Sequence, residues 1–74
     1  NPTTNIRFTL LTSGFTSLSV YDILGRKVAT LVNEEMKSGS YLATFDASRF
    51  ASGIYYYRIQ TGSFAQTKKM VLLK

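Results

Sequence analysis

The most regular alternation in the chain lies at residues 54–61, Ile-Tyr-Tyr-Tyr-Arg-Ile-Gln-Thr, directly after a Ser-Gly pair. Successive side chains of a β-strand point to opposite faces, so Tyr55, Tyr57 and Ile59 share one face and Tyr56 lies on the other. Aromatic and β-branched residues are enriched in strands, and the Ser-Gly pair is a turn signal. We therefore predict a strand here, with Tyr55 and Tyr57 facing the core.

The same two-residue period recurs on both sides of this segment, and pairs such as Ser13-Gly14 and Thr61-Gly62 break it about every ten residues. Residues predicted to be strands are 6–10, 18–21, 27–33, 41–45, 54–61 and 64–73, the last of which is compatible with one strand or two. Six or seven such strands predict an all-β fold, an immunoglobulin-like antiparallel β-sandwich. The predicted core consists of Ile6, Phe8, Leu10, Leu18, Val20, Val28, Tyr41, Phe45, Phe50, Tyr55, Tyr57 and Ile59.

The third strand is the least regular part of this pattern. Its core-facing side is left open, because Val28 and Val32 compete with Leu31 for the same face. After it, residues 34–40 are predicted to be a polar connection. A helix near Glu34 would be limited to about one turn, because so short a helix is not stable by itself.

Glycines are predicted to set the backbone at several turns. Residues 22–25, Asp-Ile-Leu-Gly, match a type I turn closed by Gly25 in the left-handed conformation. Gly39 and Gly53 are likewise expected to have positive φ, because glycine adopts it without steric cost. Residues 46–49 form a further predicted turn.

The composition excludes several classes of site. Nine Lys and Arg against four Asp and Glu give a net charge of +5, which favours acidic partners. The chain has no Cys and no His, so it lacks the commonest metal ligands and the commonest general base. No apolar stretch approaches the roughly 20 residues that span a bilayer.

We predict a single small domain over residues 1–74, without cofactor, metal site, enzymatic activity or membrane insertion. Because it begins with Asn1, we expect a mature fragment or excised domain.

The carboxylates and the tyrosine run have both structural and functional interpretations. Asp22 and Asp46 lie at turns, where Asp caps its own backbone, and this reading is favoured over an acid pair or a Ca²⁺ site. The tyrosine run invites an aromatic platform for sugars or nucleic acid. Because only Tyr56 points outward, cross-strand packing is the favoured explanation, and we predict no nucleic-acid partner.

The chain ends with a short basic and then apolar segment, residues 67–74, Thr-Lys-Lys-Met-Val-Leu-Leu-Lys. Such a segment is too apolar to lie in water, so we predict a strand docked in a sheet. Lys68, Lys69 and Lys74 have two readings of equal weight. They protect an edge strand from pairing with other sheets, or they contact an acidic partner. The segment points to a targeting or interaction module.

Six motifs follow one another along the chain. They are Asn1-Pro2-Thr3-Thr4-x-Ile6-x-Phe8, Val20-Tyr21-Asp22-Ile23-Leu24-Gly25-Arg26-x-Val28, Ser38-Gly39-x-Tyr41, Phe45-Asp46-Ala47-Ser48, Ser52-Gly53-Ile54-Tyr55-Tyr56-Tyr57-Arg58-Ile59 and Lys68-Lys69-Met70-Val71-Leu72-Leu73-Lys74. In this order and spacing they resemble the type A C-terminal sorting domain of the type IX secretion system of Bacteroidetes and related phyla. A related immunoglobulin-like domain of flagellar hook-capping proteins shares part of the pattern. That relative ranks second, because it usually carries an acidic, Gly-rich insertion that is missing here.

The resemblance implies a sorting domain that is covalently preceded by a secreted cargo. Such a cargo reaches the periplasm by its own signal peptide, and the domain then engages outer-membrane secretion machinery. A sortase-like peptidase often removes the domain, so the cargo is expected to be extracellular or on the outer cell surface. The positions expected to contribute to recognition are Asp22, Gly25, Arg26, Gly39, Tyr41, Gly53, Tyr55, Lys68, Lys69 and Lys74.

Two other functional classes remain open at this stage. One is an adhesive or self-assembling surface subunit that pairs through its edge strands. The other, less favoured, is a carbohydrate-binding accessory module, which would need more exposed aromatic residues than Tyr21 and Tyr56.

Overall fold

The computed structural model describes residues 3–73, which form six strands and no helix. The strands are β1 (Thr3–Leu10), β2 (Gly14–Tyr21), β3 (Lys27–Met36), β4 (Gly39–Asp46), β5 (Gly53–Thr61) and β6 (Phe64–Leu72). The predicted all-β fold is confirmed, and β6 is one continuous strand. The expectations for Asn1, Pro2 and Lys74 lie outside the described residues.

The strands form two sheets in which every pairing is antiparallel. One sheet has two strands, β1 and β4, and the other has four in the order β3-β2-β5-β6. The short link at Lys37 and Ser38 carries the chain from β3 to β4 and so from one sheet to the other. This is a small β-sandwich whose two sheets differ in width by two strands.

The core lies between the sheets, on the faces that the alternation selects. Eight predicted core residues are buried, namely Ile6, Phe8, Leu10, Leu18, Val20, Phe45, Tyr55 and Ile59. Val28, Tyr41, Phe50 and Tyr57 are only partly buried, although they pack against the core. For Val28 and Tyr57, which lie on the wider sheet, the narrow second sheet explains the difference, because it leaves part of the wider sheet uncovered. Two further core residues, Ala47 and Leu72, were not predicted.

The prediction of a polar connection over residues 34–40 is wrong. β3 continues to Met36, with Glu34 opposite Thr16 and Glu35 opposite Phe15 on β2. Pairing with a neighbouring strand satisfies the backbone groups of these polar residues, so the strand does not need apolar side chains to persist. This part of the chain contains no helical turn.

Irregular pairing explains why the face of β3 could not be read from its sequence. Leu18 is opposite Val32 whereas Ser19 is opposite Thr30, so Leu31 is an extra residue in β3. A second shift of the same kind follows between Val20 and Tyr21. Each extra residue reverses the alternation of the side chains, as β-bulges do.

Candidate functional site

One end of the sandwich collects several of the predicted recognition residues. Tyr21 at the end of β2 is opposite Tyr56 on β5, and Tyr56 is opposite Lys69 on β6. The turn at residues 22–26, which joins β2 to β3, therefore lies at the same end as the last part of β6. The sheet register is what brings these distant segments together.

The turn is held by its own backbone and by one carboxylate. The Gly25 amide donates to the Asp22 carbonyl oxygen at 3.0 Å, and the Asp22 amide donates to the Arg26 carbonyl oxygen at 2.9 Å. Gly25 has a φ of 84°, which confirms the predicted left-handed conformation. Asp22 Oδ1 accepts the amides of Leu24 at 3.0 Å and of Arg26 at 2.9 Å. These contacts fix the turn's shape.

The side chain of Arg26 adds one more hydrogen bond to this network. Its Nε donates to Asp22 Oδ2 at 2.8 Å, while 72% of the arginine side chain remains exposed. The pKa of Asp22 is lowered, mainly by the hydrogen bond that its carboxylate accepts from the Arg26 backbone amide. The Arg26 side chain and its charge, and the Leu24 amide, lower the pKa further, whereas desolvation of the carboxylate raises it. An exposed ion pair of this kind contributes little to stability. Its effect is to orient the guanidinium at the surface.

Asp46 has the same structural role at its own turn. Its Oδ1 accepts the Ser48 amide at 3.0 Å, and the Phe50 amide donates to the Ala47 carbonyl oxygen at 3.0 Å. The interpretation of Asp22 and Asp46 as turn-capping residues is therefore confirmed. Within residues 3–73, no group of three or more His, Cys, Asp or Glu side chains is placed to hold a metal ion.

A shallow hollow of about 320 Å³ lies beside the turn at residues 22–26, on the outer face of the four-stranded sheet. Its lining includes Tyr21, Ile23, Tyr56 and Arg58, and Lys69 follows Tyr56 across the sheet. We call these five residues the turn-side patch. Ile23 is 64% exposed, so the patch combines exposed apolar surface with two cations. Patches of this composition are typical of protein contact surfaces.

The outer-face residues Tyr21, Ile23, Tyr56 and Arg58 were not among the predicted recognition positions. Alternation places Tyr56 and Arg58 on the outer face of β5, and the side chain of Tyr56 does lie there. Their proximity to the turn depends on the register between β2 and β5, which joins segments about 35 residues apart and which no local pattern reveals.

Three further candidates lie in β5 and β6 but outside the turn-side patch. Tyr55 is buried, and its hydroxyl donates to the Ala51 carbonyl oxygen at 2.9 Å. Gly53 begins β5, with a positive φ of 152°. Lys68 lies opposite Tyr57 and projects from the other face of β6 than Lys69 does.

The final two candidates are at the opposite end of the sandwich. Gly39 begins β4 with a φ of 150°, so the predicted positive φ is confirmed there as at Gly53. The Tyr41 ring stacks on Phe8 with centroids 5.5 Å apart, and its hydroxyl donates to the Lys37 carbonyl oxygen at 2.6 Å. The structure thus gathers Asp22, Gly25, Arg26 and Lys69 and separates them from Gly39 and Tyr41.

The arrangement is suited to binding a surface. An exposed apolar and cationic patch on ordered strands can contact a partner that is apolar and acidic. In the described part of the chain, no helix is long and apolar enough to cross a membrane.

Nearly the whole of this chain is matched by a known protein family. The family described as the secretion system C-terminal sorting domain matches residues 1–73. No curated protein and no solved structure matches the chain.

Proposed function

Because this chain belongs to the family of secretion system C-terminal sorting domains, we propose that the type IX apparatus recognises it through the turn-side patch and the adjoining turn at residues 22–26. Membership of the family gives the general function. The chain is a C-terminal sorting signal for type IX secretion, it follows a cargo protein, and it engages the secretion machinery that exports this cargo across the outer membrane.

The observation that carries the proposal is the convergence of three separate sequence motifs on one surface. The turn motif contributes Ile23 with Arg26 beside it in the turn, the tyrosine-rich strand contributes Tyr56, and the terminal motif contributes Lys69 opposite Tyr56. Each of these side chains is attached to backbone that is fixed by hydrogen bonds. Pre-ordered groups lose less conformational entropy on binding, so they suit a recognition surface.

The remaining candidates have a different part in this proposal. Tyr55 and Tyr41 hold the fold through the buried and stacked contacts described above, and Gly39 and Gly53 allow the chain to enter β4 and β5. Lys74 is assigned to recognition as an extension of the terminal motif, on the resemblance of that motif alone. Residues 1–74 act together as one non-catalytic domain.

The proposal extends to the fate of the cargo, which rests on the family resemblance. We propose that a sortase-like peptidase removes the domain after export, which leaves the cargo outside the cell or on its outer surface.

The alternative function is self-association of the chain through its edge strands. The net charge of +5 opposes it, because each copy repels the next. Light scattering of the purified chain at increasing concentration distinguishes the two, since ordered growth of particle size would favour assembly.

The test of the recognition surface is export of a reporter fused to this chain, with a periplasmic signal peptide, in a host that carries the type IX apparatus. Lys69→Gln and Arg26→Gln are expected to reduce export and to leave the melting temperature unchanged, because exposed charges contribute little to folding.

The matched control is Lys37→Gln, which removes the same charge from the opposite end of the sandwich. It should export as well as the unmodified chain. Equal export by all three folded variants would place recognition away from the turn-side patch. Equal loss in all three would mean that only net charge matters. If the unmodified chain itself fails to export the reporter, its assignment as a functional sorting signal fails.

A further inference from the structure

The two sheets leave part of the inner face of β6 uncovered. On β5, the inward residues Ile59 and Thr61 are buried. Their partners on β6, Gln66 and Phe64, are exposed. Phe64 is 53% exposed, and Lys68 is exposed as well. The chain therefore presents apolar and basic side chains on a face where a sandwich normally has a covering strand.

This uncovered face forms one side of a groove of about 330 Å³ between β1 and β6, with β5 as its floor. We call it the β1–β6 groove. Its lining includes Arg7 and Phe8 from β1, Tyr57 and Ile59 from β5, and Phe64 and Lys68 from β6. A second hollow of about 270 Å³, which shares Thr9 and Phe64 with the first, continues past the end of β1 at Leu10 to Leu11 and Thr12.

The edge of β1 that borders this groove, from Arg7 to Leu10, is available for pairing with a further strand. Within residues 3–73, β1 pairs with β4 alone, and β4 lies on the side of β3. The opposite edge of β1 therefore faces β6 and the groove. A strand edge offers unpaired amide and carbonyl groups at every second residue, which can form a ladder with an extended peptide.

We propose that the β1–β6 groove binds an extended acidic segment of a partner protein, which adds to β1 as a third strand of the narrow sheet. The argument for this occupant is the charge of the groove. Arg7 and Lys68 border it, and none of its lining residues is acidic. A second copy of this chain would bring a further net charge of +5 to a basic site. The proposal goes beyond recognition at the turn-side patch, which lies on the other face of the wide sheet.

The size and pattern of the segment follow from the geometry. The groove and the adjoining hollow run along β1 from Arg7 to Leu10, so about four residues of the partner would pair, over roughly 13 Å of strand. Side chains that face inward would cover Phe64 and Ile59. Acidic side chains at the outward positions would lie within reach of Arg7, and one acidic side chain at an inward position would lie within reach of Lys68.

The probe is an acetylated and amidated seven-residue peptide in which valine alternates with glutamate and the inward valine nearest Lys68 is replaced by glutamate. It is titrated into the 74-residue chain and followed by amide chemical shifts. The expected shift changes are confined to residues 6–11 and 57–68. Lys68→Gln and Arg7→Gln should each weaken binding about two- to five-fold, as expected for the loss of one exposed ion pair. Lys69→Gln is the matched control, because it removes the same charge from the other face of the same strand.

Two further peptides separate strand addition from simple charge attraction. Replacing each glutamate with lysine should abolish binding. Methylating alternate backbone amides on the pairing edge should abolish it as well, because those amides could no longer donate to β1. Unchanged binding of the methylated peptide, or equal weakening by Lys68→Gln and Lys69→Gln, would overturn the proposal, as would no binding at millimolar peptide. Shift changes at the same residues on concentrating the chain alone would show that a second copy is the occupant.

Discussion

Replacing Leu72 with alanine tests whether the terminal strand is an integral part of the fold. Leu72 is 4% exposed, lies opposite Gly53 on β5, and belongs to the hydrophobic core. Its neighbour Val71 is 56% exposed on the outer face. The two residues thus differ in burial while sharing a strand, which makes Val71→Ala the matched control.

The expected magnitude comes from the burial of the leucine. Truncating a buried leucine to alanine costs about 2–5 kcal/mol, and the cost is lowest where the surroundings can close the cavity. Leu72 is the last residue of an edge strand, where relaxation is easy, so we expect about 2–3 kcal/mol. In a domain of this size each kcal/mol shifts the melting temperature by about 4–8 °C, which gives a fall of roughly 8–24 °C. Val71→Ala should stay within about 0.5 kcal/mol of the unmodified chain.

Thermal and urea denaturation followed by circular dichroism measure both variants. Because a domain this small has only a few kcal/mol of net stability, the loss of about 2–3 kcal/mol in Leu72→Ala is expected to remove most of it. Similar midpoints for Leu72→Ala and Val71→Ala would refute the reasoning, because they would show that the end of β6 does not stabilise the fold. A small change in Leu72→Ala accompanied by a lower urea dependence would instead indicate a less compact native state.

Two further predictions concern the turn at residues 22–26. Gly25→Val should cost about 1–2 kcal/mol. Since a Cβ at Gly25 would meet no other atom within 4 Å, the cost arises from its φ of 84° alone, and Gly25→Asn should be milder. For Asp22, whose pKa is lowered in the folded chain, the stabilising contribution is present above its ordinary pKa of 3.8 and is lost as pH falls through the folded value. Asp22→Asn should therefore be less stable than the unmodified chain at pH 7, and the difference should shrink in urea titrations below about pH 4; a constant difference would contradict the assignment.

Local alternation was sufficient to predict the strands that have one apolar face and one polar face, and to predict which side chains they bury. In β1, Ile6, Phe8 and Leu10 alternate with polar residues, and all three are buried as predicted. The turn at residues 22–25 was also predictable, because Asp and Gly at its ends each have a specific physical role there. In these segments the local preference and the global fold agree.

The terminal strand shows where the same reasoning fails. Residues 70–73 are Met-Val-Leu-Leu, a run without a polar residue to mark the outer face. A strand could be predicted from this run, but the burial of Leu72 could not, since either alternate set of side chains could face inward. In β3 the extra residues reverse the alternation, so the pattern pointed to neither face. Both cases need the register with a neighbouring strand.

The β1–β6 groove could not be predicted from local sequence either, because it depends on which strands belong to each sheet. Phe64 and Lys68 are exposed on the inner side because the opposing sheet has two strands, and sheet membership is decided by pairings such as Phe8 with Tyr41. These pairings join residues that are 29 to 43 positions apart in the sequence. The alternation along β6 indicates which residues share a face, but it gives no information on whether that face is covered.

The two adjacent lysines of β6 have separate environments as a result. Lys69 lies on the outer face beside Tyr56, in the turn-side patch, whereas Lys68 borders the β1–β6 groove on the inner face. A change that removes the whole terminal segment would take away both cations and the buried Leu72, so its effect on export could not be assigned to any one of them. Single substitutions separate these contributions, because neither lysine is buried. Reporter export should respond to position 69 and peptide binding to position 68. Since the two surfaces share no side chain, the effects on the two assays should be independent when both lysines are replaced together.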